Sequence, residues 1–228
     1  MIELTVENLT YPSENSCFSN VSFTLRLGEK IALIGPSGAG KTRLAFLLAG
    51  YPLNDAVTIK NTNRHLHQEV LLITQESEFY RDTVENNIRL GDALDLILVA
   101  KSRFTTPLDR MITDNGLQLS GGEKQRLALA RAFHMIRRNN PSVIILDESL
   151  SALDPSLKKE LITTIVKDYP DKILLFIIHE PALLPMFDRV ILLNDNRIAF
   201  DGTYDELCNS VEYKTYLKHE CNEDSELQ

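Results

Sequence analysis

A chain of 228 residues that is 43% hydrophobic and 25% charged has material for one large domain with a real core. Its formal net charge of −8 argues against bulk attraction to nucleic acid or anionic lipid, and no nucleic-acid partner is expected. The three cysteines, Cys17, Cys208 and Cys221, lack metal-ligand spacing and suggest a reducing compartment without a disulfide framework.

In chain order, Met1 leads straight into "IELTVENLTY", which alternates like a strand and carries no signal-peptide pattern. "VSFTLRLGEKIALIG" reads as strand on both sides of a turn at "GEK". "GPSGAGKT" follows, and then "RLAFLLAG", a helix with Gly50 near its C-cap and Pro52 beyond it. "AVTIK" and "EVLLITQ" are short strands. From Ser77 to about Asn115 the character changes: "TVENNIRL" and "ALDLILVAKSRF" look helical, and "TTPLDRMITDNG" looks like a loop. "GGEKQRLALARAFHMIRR" is a helix, and "PSVIILDE" is a continuous apolar strand of the kind a parallel sheet buries on both faces. "DPSLKKELITTIVKDY" is a helix with Asp154 as N-cap and Pro155 at its first position. "KILLFIIH", "RVILLND" and "RIAFDG" are further strands, and no apolar run approaches the roughly 20 residues a bilayer span needs. Alternating strands and helices imply an α/β sheet, with the helical stretch inserted into it. The acidic, polar end "HECNEDSELQ" is expected to fray.

"GPSGAGKT", Gly35 to Thr42, matches G-x-x-x-x-G-K-[ST] without a gap, after an apolar strand and at the opening of a helix. In that setting Gly35, Pro36, Ser37, Gly38, Ala39 and Gly40 form a loop whose backbone N–H groups turn toward a β-phosphate. Lys41 places a point charge on the β/γ oxygens, and Thr42 offers a hydroxyl to Mg²⁺. Asp147 ends the buried strand "VIILD", where an acid needs a reason to be; Mg²⁺ coordination is that reason in P-loop ATPases. Glu148 follows as base or orienter for the attacking water.

A second Gly-Gly loop, "LSGGEKQRLALARA", also opens into a helix. With it the chain resembles the ATP-binding cassette (ABC) ATPases, whose LSGGQ signature it matches at Ser120, Gly121 and Gly122, with Glu123 in the final place. Other elements of that family follow in order. Gln75 looks like the Q-loop glutamine, "SALD" ending at Asp154 like the D-loop, and His179 like the switch histidine at the γ-phosphate. Tyr11 looks like the aromatic that stacks on adenine. The resemblance covers Ile2 to about Leu217.

It implies a P-loop NTPase (RecA-like) α/β core with an antiparallel β subdomain and an inserted α-helical subdomain. The core with its β subdomain would take about residues 1–76 and 126–217, the helical part with the signature about 77–125, and the tail 218–228. It further implies ATP and Mg²⁺ as ligands, with Thr42, Gln75 and Asp147 on the metal and Lys41, Gln75, Glu148 and His179 in catalysis. Tyr11, Gly35 to Arg43, Ser120 to Glu123 and Asp154 would lie at nucleotide. In this family two cassettes pair head to tail, so Ser120 to Gly122 would close over the partner's ATP, in a homo- or heterodimer.

"QESEFYRDTVENNI" aligns without gaps on the exporter pattern "QDPFLFSGTIRENI", and "PLDRMITDNGLQLSGG" on "GYDTVVGERGVQLSGG". Asp114 then takes the X-loop glutamate position, flanked by Thr113 and Asn115 in place of Gly and Arg. The stretches Thr42–Gln75 and Ile88–Leu119 are shorter than usual. "DESLSALD" carries Ser149 and Leu150 where Ala or Pro and Thr are expected, and Arg43 replaces a Ser or Thr. These features imply the ATPase of an exporter on the cytoplasmic side of a membrane. Its transmembrane domains would come from a separate subunit or from the same longer chain. A soluble ABC ATPase that assembles or remodels a cytosolic complex would share every catalytic motif and differ in partner.

Overall fold

The computed structural model describes residues 3–11, 18–51, 57–60, 69–74 and 77–217. Three antiparallel strands, β1 (Glu3–Tyr11), β2 (Phe18–Arg26) and β4 (Val57–Lys60), pair in the order β2-β1-β4. The second sheet has six strands. They are β3 (Lys30–Ile34), β5 (Val70–Ile73), β6 (Val143–Asp147), β7 (Ile173–Ile177), β8 (Arg189–Asn194) and β9 (Arg197–Gly202), in the order β5-β6-β7-β3-β8-β9. Every pair in it is parallel except β8–β9.

The apolar runs of β6 and β7 are buried along their whole length because both faces of the sheet are covered. One face presents Val143, Ile145, Ile173, Leu175 and Ile177 to helix α1 (Lys41–Leu48), in a cluster that also takes in Leu4, Val6 and Leu25 of the small sheet. The other presents Ile144, Leu146, Leu174 and Phe176 to α4 (Gly121–Asn139) and α5 (Pro155–Asp168). The sheet therefore lies between helices, with α1 and the antiparallel sheet sharing the cluster on one face. The parallel strands all deliver their C-terminal ends to one edge, where α/β sheets bind ligands.

A third apolar cluster gathers α2 (Val84–Arg89), α3 (Leu96–Lys101), Phe79, Phe104, Ile112 and one side of α4. Leu127 and Ala130 of α4 face this cluster, whereas Leu129, Ala132, Phe133 and Ile136 face the sheet. At 3.6 residues per turn the two sets lie on opposite sides of one continuous helix. The expected boundary near residue 125 thus falls inside α4, which serves both clusters by angle and not by chain position. A helix over Tyr204–Asn209 and another over residues 211–217 complete the described chain. The tail expected at 218–228 lies outside the described residues, and no described helix is long and apolar enough to cross a membrane.

Candidate active site

The loop after β3 is shaped by its neighbours. A Cβ on Gly35 would lie 2.1 Å from the Leu193 carbonyl oxygen, and one on Gly40, at φ +94°, would lie 2.9 Å from the Phe18 ring. Pro36 O accepts from Ala39 N–H at 3.2 Å, closing the turn. Gly40 then caps α1 in the left-handed region, and Lys41 begins the helix. Gly35→Ala is expected to force the loop off β8 at a cost on the order of 1–3 kcal/mol. Differential scanning calorimetry should show Tm falling by several degrees, with ATP binding lost.

Lys41 is buried and curls back over its own loop, donating from Nζ to Gly35 O at 2.7 Å and Pro36 O at 3.0 Å. Ser37, Gly38, Gly40, Lys41, Thr42, Arg43 and Glu148 line a cleft of about 250 Å³. Thr42 Oγ1 donates to Asp147 Oδ1 at 3.3 Å across the end of β6. Asp147 is 3% exposed, and burial pushes its carboxyl above the ordinary value; the neighbouring Glu148 adds to this, while the Thr42 bond and the Lys41 charge oppose it.

Glu148 stands at φ +47°, in the left-handed region, and its N–H donates to Ile177 O at 3.3 Å. From there Oε1 reaches His179 Nε2 at 2.6 Å. The end of β7 thus brings the histidine to the acid beyond β6, the neighbouring strand. The structure gathers Lys41, Thr42, Asp147, Glu148 and His179 at one edge. Gln75 lies outside the described residues, and Tyr11 ends β1 with its side chain also outside them.

The second Gly-Gly loop lies elsewhere. Gly121 lines a cleft of about 320 Å³ with Thr74, Ser77, Lys124, Gln125 and Ser151 among others, and none of its residues lines the P-loop cleft. Ser120 caps α4: its Oγ accepts from Glu123 N–H at 3.3 Å, while its N–H and hydroxyl donate to Glu123 Oε2 at 2.9 and 2.8 Å. Those bonds, with one from Thr106 Oγ1, hold the Glu123 carboxyl below its ordinary range. Asp154 caps α5, accepting from Leu157 N–H and Ser156 Oγ, which lowers its pKa as well.

Two positioning networks were not legible in the sequence. Gln125 donates to Ser151 Oγ at 3.0 Å and accepts from Ala152 N–H at 2.9 Å, tying α4 to the loop before α5. Arg131 donates to Glu78 O and to Asn87 O and Oδ1, with its guanidinium over the Phe79 ring. Asn87 is fully buried and also accepts from Tyr80 N–H. Asn115 Oδ1 accepts from Phe79 N–H, so the segment 78–80 is held from three sides. Only the S-x-x-E spacing of Ser120 and Glu123 was open to a local reading as a capping box.

Phosphate-binding backbone on the glycine loop and paired acids with a histidine across from it put the fold among the P-loop ATPases. A family profile described as "ABC transporter" matches residues 18–151. The chain is 34% identical over 228 residues to the ATP-dependent lipid A-core flippase of Methylobacillus flagellatus, covering 90% of this chain and 38% of that protein. It is 31% identical over 239 residues to the glutathione/L-cysteine transport system ATP-binding/permease protein CydD of Bacillus subtilis, covering 96% and 41%. The microcin-J25 export ATP-binding/permease protein McjD of Escherichia coli is 32% identical, covering 93% and 40%. A solved bacterial Atm1-family ABC exporter with ATP bound superposes with a TM-score of 0.82 at 25% identity, covering 96% of this chain and 41% of that chain. The chain thus belongs to the ABC transporter family, as an ATP-binding and ATP-hydrolysing cassette. It spans 38 to 41% of the length of these curated relatives.

Proposed function

We propose that the chain is the motor of an exporter, converting ATP binding and hydrolysis into the movement of transmembrane domains. The observation that carries this is the alignment of 90 to 96% of the chain with the three relatives, each named as a flippase or as an ATP-binding/permease protein. The transmembrane domains would belong to a separate subunit or to the same longer chain, and would hold the cassette at the cytoplasmic face of a membrane.

In this reading Gly35 to Arg43 hold the phosphates, Lys41 binds the β/γ oxygens and Glu148 orients the attacking water. His179, hydrogen-bonded to Glu148, stands at the γ-phosphate. Gln75 joins the metal and the water, and Tyr11 stacks on adenine. The hard oxygen donors Thr42 Oγ1 and Asp147 Oδ1, 3.3 Å apart, fit Mg²⁺. Together with Gln75, one carboxylate and one hydroxyl leave its remaining positions to the nucleotide and water. When bound, the metal would neutralise phosphate charge and offset the burial cost of Asp147.

The separate cleft at Gly121 supports a head-to-tail pair in which Ser120 to Glu123 and Asp154 face the ATP of a second cassette. Residues 77–125 would then form the part that meets the membrane partner. Purification of the tagged protein from native membranes should recover multi-span segments, joined to the chain or copurifying with it, and their presence should change ATP turnover. Recovery with cytosolic proteins alone would sink the exporter reading in favour of a cytosolic remodelling complex.

A further inference from the structure

The backbone of residues 178–180, between β7 and the 3₁₀ helix Pro181–Met186, has no regular structure. On one side of His179 it is anchored by Ile178 N–H donating to Leu33 O at 3.3 Å. On the other side the anchor is Glu180, whose carboxylate accepts from Lys158 Nζ. The Lys158 side chain is 7% exposed and that of Glu180 45%. An ammonium buried to this degree needs a carboxylate partner. Lys158 lies on the first turn of α5, four residues beyond Asp154. It takes no part in the P-loop, yet it lines one cavity of about 90 Å³ with Glu148, Ser149, His179 and Glu180.

We propose that the Lys158–Glu180 ion pair is a strut that sets the His179 imidazole against Glu148, which makes Lys158 a positioning residue for ATP hydrolysis. This rests on the proposed roles of His179 and Glu148. The strut starts on a helix that is continuous with Ser151–Asp154, so displacement of that loop carries Lys158, and Glu180 with it. The histidine is thereby coupled to the segment that Gln125 ties to the signature helix.

The test is ATP turnover and ATP affinity of the full chain carrying Lys158→Met, Lys158→Glu, Glu180→Lys, and the exchange of both. Methionine fills the lysine's volume and removes the buried charge, so the fold is expected to persist; ATP affinity and thermal unfolding report this independently. Lys158→Met and each single reversal should lower kcat by roughly ten- to a hundredfold, the range expected of a misplaced catalytic group. KM should change by less than about threefold. The exchanged pair should return kcat to within about threefold of the parent. A merely structural pair would move Tm and leave kcat alone, so parental kcat in Lys158→Met overturns the proposal. So does an exchanged pair that binds ATP normally without regaining turnover. His179→Ala is measured alongside. If it keeps parental kcat, the reading of the site fails and the strut with it. If it is inactive while Lys158→Met is fully active, the strut alone falls.

Discussion

Glu148→Gln is expected to bind ATP, to hydrolyse it on the order of 10²–10⁴ times more slowly, the usual contribution of general acid–base catalysis, and to accumulate as an ATP-dependent dimer. The substitution keeps the side chain's shape and its reach to His179 Nε2, 2.6 Å away, but removes the charge proposed to orient and accept from water. Light scattering after size exclusion should show the mass doubling with ATP and not with ADP. Adding Ser120→Arg separates the role of the P-loop from that of the second Gly-Gly loop. Loss of the α4 cap costs about 1 kcal/mol, a few degrees of Tm for a chain of this size, so the fold survives. The P-loop cleft and the cleft at Gly121 share no residue, so the double variant should bind ATP as a monomer with nearly parental affinity and fail to dimerise. Loss of ATP binding by the monomer would place the signature at its own chain's nucleotide and end the head-to-tail reading.

Lys41→Ala is expected to abolish turnover and to weaken ATP binding by at least about tenfold. In the proposed site the γ-phosphate would lose the lysine cation, and the loop loses the two bonds from Nζ to Gly35 O and Pro36 O. Asp147 adds a pH signature. Burial already raises its pKa, and the Lys41 charge is one of the effects that lower it. Without that charge the carboxyl rises further, so the loss of metal-dependent ATP binding on acidification should begin at a higher pH than in the parent. Isothermal titration across pH checks both effects; substantial turnover, or an unmoved acid limb, would count against the assigned contacts.

The sheet was legible because β6 and β7 are unbroken apolar runs, which only a doubly covered strand tolerates. Helix α5 was legible because Asp154 and Pro155 mark its start locally. The P-loop is likewise a local pattern, and it formed between the strand and helix that its neighbours implied. The polar side chains that join these parts were hidden. Gln125 and Ser151 are separated by 26 residues, Lys158 and Glu180 by 22, and Arg131 and Asn87 by 44. In one sequence each such residue looks like the wet face of a helix or the start of a loop. It takes the packing of α4 and α5 on the sheet to bury them and pair them. Ser120 and Glu123 differ again: the resemblance to the LSGGQ signature assigns them to nucleotide, and their S-x-x-E spacing carries a second, local meaning, the helix cap seen in the structure.

The left-handed backbone at Glu148 gives that position a conflict of interest. A non-glycine residue at φ +47° costs roughly 1 kcal/mol or more, and glycine or asparagine would sit there with less strain. Folding alone would therefore favour losing the acid, and its proposed role in hydrolysis is what would keep it. A lineage that came to need ATP as a clamp and not as a fuel would meet little resistance at this residue. It could become both steadier and inert by a single change, while every other part of the nucleotide cradle stayed in place.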